Sequence, residues 1–213
     1  DAQPATEAPA EETARPIPQY PILRGRLVYL RPLEMADVPM YAAWRNDLDA
    51  MLTAGWGRRG PISVAEAERL ISTEWQGGPP SQEHFSFMIC TLGDGRPIGQ
   101  ALLNINDRRR GQAYFGIFIA AESDRGRGYG TDALNATCDF GFGELRLERI
   151  SLEVMASNAR AIRTYEKAGF RREGLHRNAE IVDGEYVDVL SMALLVEEWR
   201  ALDRPKSWEL ESA

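Results

Sequence analysis

Apolar positions along this chain recur with two different periods, and the switches between them outline the fold. Alternating or short unbroken apolar runs predict strands at 26–31, 84–91, 97–105, 112–120, 148–155, 170–181 and 185–194. Spacings of three and four residues predict helices at 35–46, at 64–75, from 128 onward and at 159–169. The punctuation agrees with this division. Gly93-Asp94-Gly95 and Val182-Asp183-Gly184 read as hairpin turns, and Asn106-Asp107 with Gly111 put Arg108-Arg109-Arg110 at a hairpin tip. Ser63 stands as an N-cap with Glu66 three residues on for a capping box, while Asn158 caps a helix that Gly169 stops. The order β-α-α-β-β-β-α-β-α-β-β predicts an α/β (α+β) fold, a mixed sheet of about seven strands flanked by helices.

The ends break the pattern. Residues 1–19 are rich in Ala, Pro, Glu and Thr and hold few large apolar side chains, too few to offset the entropy of ordering. They read as a flexible tail ahead of a single domain at 20–202. Residues 203–213 read as a second, loosely attached tail in which Trp208 and Leu210 have the means to dock. A length of 213 residues with 44% hydrophobic and 27% charged content suits one domain and leaves little room for two. The net charge of −7 argues against general nucleic-acid binding, so the arginine triplet is read as a solvated tip, with docking of an acidic partner as the alternative. No apolar run approaches the length that crosses a bilayer, and no basic stretch followed by an apolar one opens the chain. Cys90 and Cys138 fall in a strand and a helix pattern and read as small core residues, so a reducing, cytoplasmic setting is expected. His84 and His176 have no neighbouring ligand pattern, and no metal is expected.

The densest chemical signal is Arg125-Gly126-Arg127-Gly128-Tyr129-Gly130, which follows a strand pattern and opens a helix pattern. Glycines let the main chain take positive φ and approach a ligand closely, and the free amides and positive dipole end of the helix attract an anion. Arg125 and Arg127 add formal charge. The spacing matches neither the Rossmann fingerprint nor the Walker loop, and the best guest is a nucleotide-like cofactor with a pyrophosphate. A solvated glycine-rich connection is the competing reading of the loop taken alone.

The loop has company in Leu152-Glu153-Val154-Met155-Ala156-Ser157-Asn158 and in Ala161-Ile162-Arg163-Thr164-Tyr165-Glu166-Lys167-Ala168-Gly169-Phe170. This ordered set resembles the acetyl-CoA-dependent GNAT N-acyltransferase superfamily. Upstream, Val28-Tyr29-Leu30-Arg31-Pro32-Leu33 with Asp37 and Trp44-Arg45-Asn46-Asp47 is similar to the amino end of the ribosomal-protein N-terminal acetyltransferases. Gly184-Glu185-Tyr186-Val187-Asp188-Val189-Leu190-Ser191-Met192 resembles that subgroup's closing strand, so the likeness covers about residues 22–199. It implies acetyl-CoA as donor, CoA as product, and an amine acceptor that is a small molecule or a protein N-terminus. A monomer or homodimer without nucleic-acid or membrane partners is expected.

Acyl transfer to an amine requires a neutral amine, stabilisation of the developing oxyanion, and a thiolate able to leave. A free alkylamine has a pKa near ~10, so a base or a water chain must remove its proton. The resemblance assigns that role to Glu153 and puts the Tyr165 hydroxyl at the cofactor sulfur. It further implies that Asn158 caps its helix and bonds the pantetheine arm, with Phe118, Ile119 and Ala161 along the cofactor and residues 125–130 at its phosphates. A main-chain amide within 116–120 is the expected oxyanion contact. Many members carry a carboxylate on the strand before the phosphate loop. This chain has Gln112-Ala113-Tyr114-Phe115-Gly116 there, which leaves the base to Glu153 or to water. For the acceptor, Trp44, Trp56 and the loop 53–61, with Glu185 and Tyr186 near the closing hairpin, are the candidates. The missing carboxylate and the charged tail also fit a second class of function, a catalytically weak acyl-CoA-binding sensor or interaction module.

Overall fold

The computed structural model describes residues 23–53, 61–75 and 83–210, so the tail at 1–19 and the acceptor candidate Trp56 lie outside the described residues. One sheet runs through the molecule. Its strands are β1 (Leu23–Arg24), β2 (Val28–Pro32), β3 (His84–Thr91), β4 (Pro97–Asp107), β5 (Gln112–Ile119), β6 (Arg149–Met155), β7 (Arg171–Val182) and β8 (Glu185–Leu195). Their spatial order is β1-β2-β3-β4-β5-β6-β8-β7. The strand beyond the expected set is β1, a two-residue piece too short to show a period and held by pairing Leu23 with Leu30 and Arg24 with Tyr29.

The helices are α1 (Val38–Arg45), α2 (Leu48–Thr53), α3 (Val64–Arg69), α4 (Tyr129–Asp139), α5 (Ala159–Lys167), α6 (Val196–Arg200) and α7 (Ser207–Leu210). The helix expected at 35–46 begins as a 3₁₀ turn, Met35–Asp37, because Asp37 turns back to accept from Glu34 N and to pair with the buried Arg31 at 2.7 and 2.8 Å. Ser63 caps α3 as expected by accepting from Glu66 N. The Glu66 carboxylate, however, binds Arg69 at 2.7 Å instead of completing a capping box. The α3 helix runs on as a wider π-helical turn, Leu70–Trp75, and α4 does the same over Phe140–Glu144.

Apolar side chains divide between the two faces of the sheet. The larger core joins Leu103, Phe115, Ile150 and Leu152 to Leu134 of α4, Ile162 and Tyr165 of α5, and Trp199 of α6. On the other face Tyr41, Ala67 and Ile71 pack on Tyr29 and Met88, while Ala50 and Met51 of α2 pack on Phe118. Cys90 and Cys138 are free and buried, and burial raises both thiols above their ordinary range, which suits core residues rather than nucleophiles.

Two buried or half-buried aspartates tie distant segments to α4. In its first turn Asp132 accepts from the amides of Arg26, Leu27 and Val28 at 3.0, 2.7 and 3.0 Å, which fixes the β1–β2 turn beside the glycine loop. At its end the buried Asp139 accepts from Trp199 Nε1, from both terminal nitrogens of Arg204 and from Ser207 N and Oγ. Trp208 then meets Trp199 edge-on with ring centres 6.2 Å apart. The segment from 203, read as a loose tail, is thus held to α4 and α6 through Arg204, Ser207 and Trp208. Sequence composition could not show this, because the anchor is a single carboxylate far away in the chain.

Candidate active site

The loop before α4 has the conformation its glycines allow. Gly126 and Gly128 sit at φ +80° and +90°, in the left-handed region that costs any other residue, and Gly128 is the residue from which α4 starts. The first-turn amides of α4 consequently open toward the cleft beside the loop. Arg125 holds the loop in place. Its Nε and Nη2 donate to the carbonyls of Ile119 and Ala120 at 3.0 and 2.7 Å, clamping the loop to the end of β5. Asp124, buried at the loop's base, is paired bidentately with Arg96 at 2.8 Å, and Arg127 lies 4.0 Å from it. Hydrogen bonding from Arg96 holds the Asp124 carboxyl below its ordinary range.

Across the cleft stands α5. Asn158 caps it, its Oδ1 accepting from Ala161 N at 3.0 Å, and both residues line the cleft. One face of α5 brings Arg160, Arg163 and Lys167 to the same wall, and none of the three is in an ion pair among the described residues. The cleft has a volume of about 380 Å³ and is bounded on its strand side by Ile117, Phe118 and Ile119. Positive-φ glycines, a helix start and free cations around one hollow fit a donor that carries a pyrophosphate and a further phosphate. Tyr165 is buried and lines the cleft. Burial raises its phenol well above the ordinary value, with Tyr114 adding to the shift, so the hydroxyl keeps its proton at neutral pH.

The sheet itself connects this cleft to the opposite face. β5 and β6 are the one parallel pair among the described strands, and they are joined only at Gln112–Arg149, Ala113–Ile150 and Tyr114–Ser151. Beyond Tyr114 the strands separate. Ala120 N is used by Ile98 O, and because successive amides alternate along a strand, those of Ile117 and Ile119 face the open edge.

Register places a second group of residues on one face of the sheet beyond that gap. Glu153 lies opposite Ser191, Met155 opposite Val189, and His176 opposite Val189 in turn, so these share a face with Tyr114 and Ser151. They surround a second cavity of about 250 Å³, to which Tyr114, Glu153, His176 and Glu180 contribute polar groups. Tyr165 thus faces the first cavity and Glu153 the second, with Tyr114 lining the second and acting electrostatically on Tyr165.

Among the expected cofactor contacts, Phe118, Ile119, Arg125, Gly126, Gly128, Gly130, Asn158 and Ala161 line the first cleft, whereas Arg127 and Tyr129 do not. Tyr129 instead packs against the core, and Arg127 leans toward Asp124. Trp44 meets Phe118 edge-on at 5.9 Å, on the face that carries Tyr114. Glu185 and Tyr186 line neither cavity. They pair with Val182 and Ile181 next to the hairpin turn, and the cavity lies farther along β7. Tyr114, Glu180 and the α5 cations were not singled out from sequence, and His176 was weighed only as a metal ligand. The cations had a legible signal, one helical face at 160, 163 and 167, but the others depend on strand register. Among the described residues no group of three His, Cys, Asp or Glu side chains could hold a metal, and no helix is long and apolar enough to cross a membrane.

Known proteins share this fold. A family model described as an acetyltransferase (GNAT) domain matches residues 27–171. The probable N-acetyltransferase YjcK of Bacillus subtilis (strain 168) is 31% identical over 176 residues, 82% of this chain and 97% of that one. Spermidine N(1)-acetyltransferase of Escherichia coli (strain K12) is 33% identical over 176 residues, covering 82% of this chain and 89% of the relative. The crystal structure of spermidine N-acetyltransferase from Vibrio cholerae in complex with CoA and spermine superposes with a TM-score of 0.72 at 26% identity, over 81% of this chain and 98% of that one. Family match, full-length relatives and fold agree: the chain belongs to the acetyltransferase (GNAT) family and is an N-acetyltransferase.

Proposed function

We propose that this chain binds acetyl-CoA in the cleft between the glycine loop and α5 and transfers the acetyl group to a primary amine by direct attack in a ternary complex. The observation that carries the reading is the gap between β5 and β6, with Tyr165 on one side and Glu153 on the other. When bound, the donor supplies a thioester carbonyl. The amides of Ile117 and Ile119, on the open edge of β5, are placed to stabilise charge on its oxygen. Glu153, directly or through water, takes the proton from the amine as its nitrogen forms the new C–N bond. Tyr165 gives its proton to the sulfur as the C–S bond breaks, and burial keeps that proton in place beforehand.

The acceptor favoured by this reading is a small cationic amine. The acidic second cavity supports it, and so do the spermidine acetyltransferases among the relatives. Protein N-termini are the second reading, favoured by the likeness of the segment from Val28 to Asp47 to ribosomal-protein N-terminal acetyltransferases. The test is acetyl-CoA-dependent acetylation of peptides, polyamines and aminoglycosides, followed by product mass and CoA release. Acetylated product in equal amount to released CoA is expected. Calorimetric CoA binding without any acetylated amine would favour the sensor reading instead.

A further inference from the structure

We infer that Asp132 is a positioning residue for the donor, setting the glycine loop through the β1–β2 turn, an inference that rests on the proposed binding of acetyl-CoA in the first cleft. Asp132 closes the first turn of α4, its own amide donating to Gly128 O at 3.0 Å. Its side chain is not among those lining the cleft, which include Gly128, Gly130 and Thr131. A carboxylate this close to a helix start that receives phosphates would repel them if it faced them. Instead its two oxygens accept from the amides of Arg26, Leu27 and Val28. Three successive main-chain amides converging on one anion form a nest, filled here by the protein's own carboxylate.

The turn is fitted both to this carboxylate and to the loop. Gly25 N donates to Val28 O at 2.8 Å across it, and Leu92 N donates to Leu27 O at 2.9 Å, which ties it to the end of β3. Gly25 leaves room for the carboxylate, since a Cβ there would run into Cγ and both oxygens of Asp132. Leu27, exposed although apolar, extends over Gly128, its Cδ1 only 3.2 Å from where a Cβ of that residue would stand. Asp132 therefore grips the turn, the turn carries Leu27, and Leu27 bounds the residue at φ +90° from which α4 starts. A glycine has other conformations open to it, so the side chain packed against it limits how far the loop departs from the one that aims its amides at the cleft. Amides set in advance bind phosphate without a further cost of ordering.

The sign of one substitution separates this role from that of a bystander. A carboxylate that merely stands near an anion site opposes CoA binding, and Asp132→Asn would then tighten it, most of all at low salt. A carboxylate that sets the loop has the opposite effect, and Asp132→Asn weakens binding because one of its two acceptor oxygens is lost. Gly25→Ala is the second variant: it lies outside the first cleft, keeps the charge and displaces the carboxylate from the turn. Calorimetric titration with CoA, on variants that scanning calorimetry shows to be folded, should give a Kd raised about three- to tenfold in both, less than the loss of one whole charge-assisted hydrogen bond to phosphate. This readout needs no turnover. With an amine that the wild type acetylates, KM for acetyl-CoA should rise by the same factor while kcat changes little. The kcat/KM for S-acetylpantetheine, which has the same thioester arm and no phosphate, should stay near that of wild type. Unaltered or tighter CoA binding in either variant overturns the inference, and so does an equal loss with both donors, which a general loosening of the fold would give; the proposed function then stands. A wild type that uses both donors equally well would instead overturn the placement of the phosphates, and the inference with it.

Discussion

Replacing Gly128 by Ala tests the donor cleft at its most constrained point. At φ +90° an alanine is strained by about 1–3 kcal/mol, and its Cβ would also lie 3.2 Å from Leu27 Cδ1. The second effect is the smaller, because the Leu27 side chain can yield by a few tenths of an ångström. At roughly 2–4 °C per kcal/mol for a chain of this size, the thermal midpoint should fall by about 2–12 °C while the fold persists. If the loop relieves the strain by rotating φ, the amides that open α4 turn with it. Each charge-assisted hydrogen bond to a phosphate lost in this way is worth about 1.5–3 kcal/mol, or about 10- to 150-fold in Kd. Gly126→Ala is the internal comparison, since φ there is +80° but nothing lies within 4 Å of the added Cβ and the residue does not start the helix. Scanning calorimetry and titration with CoA on both variants would measure stability and affinity separately. A folded Gly128→Ala protein whose CoA affinity equals that of wild type would refute the placement of the phosphates at this helix start.

Other consequences follow from the ion pairs. Asp139→Ala removes the acceptor for Trp199, Arg204 and Ser207 and leaves the mostly buried Arg204 without its carboxylate, so a loss of about 3–5 kcal/mol is expected in urea unfolding. Arg96 depresses the Asp124 carboxyl, so the pair's contribution to stability is fully present above the ordinary carboxylate pKa and fades as pH falls through the depressed value. The difference in thermal midpoint between wild type and Asp124→Asn should therefore stay constant from neutral pH down to about 4 and close only below that. Changing Arg160, Arg163 and Lys167 together to Gln should weaken CoA binding and flatten its dependence on salt, whereas an unaltered salt slope would show that the α5 cations do not meet the donor.

The residues that line the first cleft were legible in sequence because their signals are local. Gly126, Gly128 and the Asn158 cap announce backbone geometry within a few residues, and Tyr165 sits in a helix whose register its own period sets. Those around the second cavity were not, because strand register brings them together. Tyr114 read only as the lack of a carboxylate, yet pairing with Ser151 puts it beside Glu153. Glu180 is brought in by a bulge that depends on Asn178 and Asp188, a contact without a periodic signature. Glu185 and Tyr186 looked suitable by composition, but the tight turn at Asp183-Gly184 keeps them at the hairpin's end. Asp132 and Asp139 bind segments 60 to 106 residues away, a reach that hydrophobic patterning does not report.

In the proposed mechanism acetyl passes through the β5–β6 gap from a donor beside Tyr165 to an amine beside Glu153. That transfer is tested most directly by pH–rate profiles of Tyr165→Phe and Glu153→Gln with an amine that the wild type acetylates, alongside CoA affinity. CoA binding should be nearly unaltered in both variants. Tyr165→Phe should lower kcat on the order of 10²-fold, and Glu153→Gln should recover in part at alkaline pH, where more of the amine is already neutral. Wild-type kcat in Tyr165→Phe, or full activity of Glu153→Gln across neutral pH, would contradict the assigned roles.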